Sequence, residues 1–384
     1  MGSRRSYSLL ILAFALFFAV KPAIAQHEEG HENAAHEAAH GGHEEKKGFN
    51  ASEVIFGHIG DSHYWHLFDI NGEPVSLSLP VIIYHPEKGI SVFSASKFHH
   101  GHESYEGYHI EKGMKEKIVS EDGASIIDFS ITKNVLSMII SVVLLLWIML
   151  SVAAKYKKNG TMVAPSGLQN ALEPVINFMT DEVGKPNLGH KYMRFMPLLL
   201  TMFFFIWINN LLGLLPGGAN FTGNIAVTAC LAIVSFVVMV FNGNKHFWGH
   251  LFNPPGVPLG VKFLLVPIEI ISLFIKPIAL MIRLFANILA GHIVILSVIS
   301  MIFIFGALNQ VAGIGFVPVS LAFSIFMFFL ELLVAAIQAF IFTNLTAVFI
   351  GQAIEEAHHH EEGHHGHEEG TGQAYHVSEN EIVA

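Results

Sequence analysis

Residues 257–305 read VPLGVKFLLVPIEIISLFIKPIALMIRLFANILAGHIVILSVISMIFIF. This near-continuous apolar run is 49 residues long. About 20 apolar residues suffice for a helix to cross the ~30 Å hydrocarbon core of a bilayer. At about 1.5 Å per residue, 40 helical residues already extend about 60 Å. A helix here must be strongly tilted, broken or partly in the membrane plane. Lys262, Glu269, Lys276 and Arg283 interrupt it every seven residues. Seven steps of about 100° leave each charge about 20° from the last, so the four make a slowly drifting stripe on one face. Asn287 falls near the same face. Lys262 can snorkel to the interface. Lys276, about two turns deeper, is read as either structural or snorkelling.

The rest of the chain has the same character. Of 384 residues, 52% are apolar and 14% are Asp, Glu, Lys or Arg, against about 25% charged in soluble domains. Residues 196–350 carry only six charges: the four above, Lys245 and Glu331. This disfavours a soluble enzyme and predicts an all-α, multi-span membrane domain over residues 131–354. Nucleic-acid binding is disfavoured, since no basic stripe with interleaved aromatics is present. The net charge of -10 comes mainly from the acidic ends. The single cysteine, Cys230, excludes an internal disulfide framework and reads as a packing residue.

About five transmembrane helices are expected. The first covers residues 134–154 and ends at Lys155, Lys157 and Lys158. The basic loop that follows, with Lys185, Lys191 and Arg194, is placed in the cytoplasm by the positive-inside rule. Within it, GLQNALEPVINFMTDEV has helical apolar spacing and is read as a helix on the inner membrane surface. Residues 195–215 run outward and residues 225–241 return. Residues 257–305 and 320–350 form a long tilted hairpin, with an uncharged glycine-containing turn at 306–318. The acidic, His-rich tail, residues 355–384, is then cytoplasmic.

At the other end, Arg4 and Arg5 precede twelve apolar residues and the small-residue pattern Ala23-Ile24-Ala25. This pattern is read as a leader peptide over residues 1–25, with an uncleaved anchor as the alternative. Residues 26–130 are expected to be an exported, His-rich and partly disordered region. Alternating runs between residues 54 and 93 predict a few β-strands there.

Ionisable residues inside spans are costly and mark function. Arg283 keeps its charge at all ordinary pH values, so it needs an anionic partner. Glu269 is 14 residues away, about 21 Å along a helix. That leaves Glu331 in this chain, or a carboxylate on another subunit. If the two long segments pack antiparallel with Arg283 level with Gln338, then His292 and Glu331 lie at similar depth. An imidazole and a carboxyl so placed form either a proton relay or a buried hydrogen-bonded pair.

Three motifs carry a resemblance to a known family: KPIALMIRLFANILAGH (276–292), ELLVAAIQAFIFTNLTAVFI (331–350) and WINNLLGLLP (207–216). Over about residues 130–355 the chain resembles subunit a of the membrane (Fo) sector of bacterial F-type ATP synthases. The resemblance implies a non-catalytic subunit with two offset half-channels. Protons pass through these to and from a carboxylate on a rotating c-subunit ring, and the coupled rotation drives ATP synthesis. It implies that Arg283 is the essential stator charge. Asn287, Gln338, His292, Glu331, Glu269 and Asn210 would line the proton pathway, Glu269 on the cytoplasmic side and Asn210 on the outer side. The implied setting is a bacterial inner membrane. The implied partners are the c-ring, the b-subunit peripheral stalk and the remaining F1Fo subunits. His292 and Glu331 are exchanged relative to many bacterial members, as in mitochondrial relatives. Gly213 replaces an Asp common in that position. No cofactor or resident metal is expected, and no G-x-x-x-x-G-K-[ST] nucleotide motif is present. The alternative is a divalent-metal transporter, suggested by thirteen His between His27 and His109 and seven in the tail. Such a pathway needs several ligands within the spans.

Overall fold

The computed structural model describes residues 59–355, apart from 71–72, 102, 112–115, 161–162 and 216, together with isolated positions 52, 55 and 57. The leader reading, the low-complexity stretch after it and residues 356–384 of the tail lie outside the described residues.

The N-terminal unit is built from short antiparallel strands. β1 (Tyr64–Ile70) pairs with β2 (Glu73–Ser78), and β3 (Pro80–His85) with β4 (Gly89–Ser94). β5 (Tyr108–Glu111) pairs with β6 (Lys117–Ser120), and β7 (Ile127–Asp128) adds to β3. Burial alternates along β3 and β5, the period-two signature of a one-sided strand. Val81, Ile83, Phe98 and Tyr108 form the shared core. The last three strands escaped the sequence reading because two to four residues are too few to show a period.

The sheet runs into the membrane domain without a linker. Phe129 N donates to Ile82 O, Ile131 N to Pro80 O, and Lys133 N to Ser62 O. There α1 (Lys133–Asn159) begins. Its first turn is capped from outside, because the Asp61 carboxylate accepts from Thr132 Oγ1 at 2.9 Å and from Asn134 N at 3.2 Å. Behind this junction His63 is 1% exposed. Its ring lies 3.4 Å from Glu116 and 3.6 Å from Asp128. Burial alone would lower the imidazole pKa, but the two carboxylates outweigh it and raise it to about 9.

Among the described residues, five helices are long and apolar enough to cross a membrane. They are α1, the helical run ending in α3 (Tyr192–Leu214), α4 (Ile225–Asn242), α6 (Leu259–Leu308) and α7 (Gln310–Ile354). The expected loop helix is present as α2 (Leu168–Phe178). It continues through a π-turn and a short helical turn, Lys185–Leu188, into α3. Asn187 Nδ2 there donates to Asn344 Oδ1 of α7 at 2.9 Å, so this segment is packed into the bundle. One further helix, α5 (Lys245–Phe252), was not anticipated. Eight residues hold only two turns.

The hairpin differs from expectation in one respect. The glycine-containing segment read as a turn is helical, and the reversal is made at Asn309, whose side chain caps α7 by accepting from Val311 N. The glycines serve packing instead. A Cβ on Gly313 would lie 2.6 Å from Gly306 Cα, so only glycine lets the two backbones approach so closely. α6 is one helix of 50 residues, about 75 Å long, which requires strong tilt in a bilayer. Pro267 and Pro277 lie inside it without ending it.

The folded β-unit also touches the α3–α4 loop: Trp65 Nε1 donates to Gly217 O at 2.6 Å. Two membrane-crossing helices, α1 and α3, separate these residues, so the chain has returned to the side it started from.

A folded-state pKa above the unfolded value of 6.5 means that protonating His63 favours the folded β-unit. The contribution, about 3 kcal/mol, is complete below pH 6.5 and is lost as pH rises through about 9. Pulse proteolysis of the full chain should therefore show the β-unit opening more readily at about pH 10 than at about pH 7. His63→Gln should flatten that dependence. An unchanged pH profile in the variant would show that another group controls it.

Candidate functional site

The site is set by how α6 and α7 pack. Leu280, Leu284 and Ile288, at helical spacing on α6, are buried together with Ala335, Ala339 and Phe342 of α7. The small alanines let the helices approach. With Leu284 turned inward, Arg283 is about 100° away on the open edge. It is exposed in this chain, among the exposed apolar residues Ile278 and Ile282. Asn287, one turn on, donates from Nδ2 to Oε1 of the buried Gln338 at 3.0 Å. The two helices are thus antiparallel, with Gln338 opposite a residue one turn from Arg283, close to the register supposed from the sequence. Among the described residues no carboxylate lies within ion-pair reach of Arg283. That removes the intrachain pairing with Glu331.

Glu331 is engaged elsewhere. Its Oε1 lies 3.7 Å from His292 Nε2, an ion-pair separation that a small rotation turns into a hydrogen bond. Glu331 is buried, and neither carboxyl oxygen has a hydrogen-bond partner among the described residues. Leaving a buried polar group in that state is costly. Gly291 makes the room: a Cβ there would stand 2.7 Å from Glu331 Oε1. Gly213 of α3 faces the same place, its Cβ position 3.9 Å from His292 Nε2. Asn210 is buried one α3 turn before Gly213. It donates to Ala335 O at 3.2 Å and accepts from Thr222 Oγ1 at 2.8 Å. It therefore ties the α3–α4 loop to the α7 turn that follows Glu331.

Glu269 lies toward the other end of α6, and its Oε1 is 3.8 Å from His250 Nδ1 on α5. The remaining stripe residues face structural partners. Lys262 donates to Asn253 Oδ1 at 2.5 Å, and Lys276 to Gln352 Oε1 at 2.8 Å. For Lys276 this favours the structural reading. The sequence reading missed His250, Thr222 and Gly291. Only Gly291, directly before His292 inside a helix, left a signal.

A protein-family model described as ATP synthase A chain matches residues 135–351. The chain belongs to the ATP synthase subunit a family. Its members are the proton-translocating stator subunits of the Fo sector. Among similar proteins is an ATP synthase subunit a of Chloroherpeton thalassium, 46% identical over 245 residues, 62% of this chain and 71% of that one. Another, from Chlorobaculum tepidum, is 44% identical over 63% of this chain and 67% of its own length. One from Myxococcus xanthus is 38% identical over 65% and 83%. Residues 54–135 match a second model, described as a domain of unknown function (DUF8433). The family and the spans make this a multi-pass membrane protein that works within an F1Fo complex. The metal-transport alternative gains no support. Among the described residues no group of three or more His, Cys, Asp or Glu is placed to hold a metal.

Gly291→Ala would push Glu331 off His292 while improving local helix propensity by roughly 0.5–1 kcal/mol. The variant should assemble normally yet conduct protons poorly, as read by passive conduction in vesicles stripped of F1. Normal conduction would mean that the close His292–Glu331 pair is dispensable.

Proposed function

We propose that Arg283 is the stator charge facing a carboxylate on a rotating c-subunit ring. The observation that carries this is a permanent cation on the open apolar edge of α6, without a carboxylate partner among the described residues. A carboxyl group facing lipid must be neutral. As it reaches Arg283, the guanidinium favours the anion, and the proton leaves by the half-channel open at that angle. The anion then passes to the other half-channel, is reprotonated and returns to lipid. Arg283 itself, a fixed cation between the two channels, repels a bare proton and blocks a direct leak. Each proton crossing 100 mV supplies about 2.3 kcal/mol to this cycle.

His292 and Glu331, with Asn210 and the α3–α4 loop above them, form the outer half-channel in this reading. Glu269 belongs to the inner one. Asn287 and Gln338 hold the two helices at the depth of Arg283. The basic α1–α3 segment faces the cytoplasm and the β-unit faces the opposite side. The b-subunit stalk would hold this chain still against the ring.

Arg283→Ala in the assembled complex should lower ATP-driven proton pumping at least about 100-fold, the scale for removing one preorganised charge at a reacting centre. Pumping at the wild-type rate in reconstituted vesicles would overturn the assignment.

A further inference from the structure

The short helix α5 is not needed to cross the membrane, and its two faces differ. Leu251 is buried with Met239 of α4, Leu273 of α6 and Ala353 of α7, with Phe247 and Trp248 packed against the same cluster. This anchors α5 across the end of the bundle. His246 and His250, one turn apart, are left exposed on its other side, with ring centroids 6.4 Å apart. His250 Nδ1 reaches to 3.8 Å from Glu269 Oε1. The His250 side chain is 53% exposed and that of Glu269 is 32% exposed. Glu269 Oε2 is itself buried, with no hydrogen-bond partner among the described residues. The carboxyl thus has one oxygen toward a solvent-facing imidazole and one toward the protein.

Of the neighbouring charges, Lys276 lies near enough to interact with Glu269 through space, but neither it nor Lys262 hydrogen-bonds the carboxyl group. Lys262 is held by Asn253, and Lys276 by Gln352.

We infer that His246 and His250 form a proton-transfer site that exchanges protons between bulk water and Glu269, at the solvent end of the half-channel to which Glu269 belongs. This rests on the proton-path reading given above. In the inward direction a hydronium or buffer acid protonates His250 directly, or protonates His246, which returns to neutral by giving a proton to the other nitrogen of His250. The His250 Nδ1–H then passes its proton to Glu269 Oε1, leaving a neutral imidazole and a neutral carboxyl group. In the outward direction the same bonds break and form in reverse, and no other reactant is consumed. Imidazole suits the task because it gains and loses a proton in the physiological range and can accept on one nitrogen while donating from the other. The outer pair, His292 and Glu331 at 3.7 Å, has the same composition. Each half-channel then has one imidazole beside one carboxylate, on opposite sides of Arg283.

The test uses the complete complex in vesicles, with passive proton conduction measured after removal of F1 and driven from each side in turn. His246→Gln with His250→Gln should reduce conduction about ten-fold or more, since positioned proton donors contribute at least that much. Added imidazole should restore it from the Glu269 side and not from the opposite side. Glu269→Gln should also lose conduction and should not be restored by imidazole. Wild-type conduction in the double variant, or a loss that imidazole does not repair from the Glu269 side, would overturn the inference. Either result leaves the Arg283 experiment unaffected, so the two readings fail separately.

Discussion

A guanidinium cannot shed its charge, and Arg283 holds one on the open edge of an apolar helix. A cation in that setting is tolerable only beside an anion or water. Everything around it keeps it there. The Leu280–Leu284–Ile288 stripe fixes the rotation of α6, the alanines of α7 bring the second helix close, and the Asn287–Gln338 hydrogen bond fixes their relative height. Near the Asn309 reversal, Gly306 and Gly313 let the same two helices touch backbone to backbone. A slip of one residue along the interface would turn Arg283 by about 100°, either into the core or away from an outside partner.

The two His–Glu pairs lie at unequal distances along α6 from this charge. Nine residues separate His292 from Arg283, and fourteen separate Glu269 from it, about 13 and 21 Å. Neither pair can reach the guanidinium directly. In the proposed reading, protons pass between them on a carboxylate that itself moves past Arg283, which is the physical content of a rotary mechanism.

Much of this was legible in the residues. The spans and the hairpin follow from hydropathy and from charges rare enough to be conspicuous. The pairing of His292 with Glu331 followed from counting residues on two antiparallel helices once Arg283 was supposed level with Gln338. What stayed hidden has common causes. Asn309 makes the reversal in one residue, and helical glycines used for close packing look like turn glycines in sequence. Helix α5 is too short to show a period, so His250 could not be brought to Glu269 without three-dimensional contact. The last strands of the β-unit failed for the same reason of length.

The hydrogen bond from Trp65 to Gly217 joins residues 152 apart in sequence. It closes around α1 and α3, so it cannot form until both have been made and inserted. Gly217 must first be synthesised and threaded back through the membrane, by which time the β-unit has long been available to fold. The contact therefore follows insertion of α1 and α3, and its formation certifies that the first two crossings have been inserted with the right number and direction.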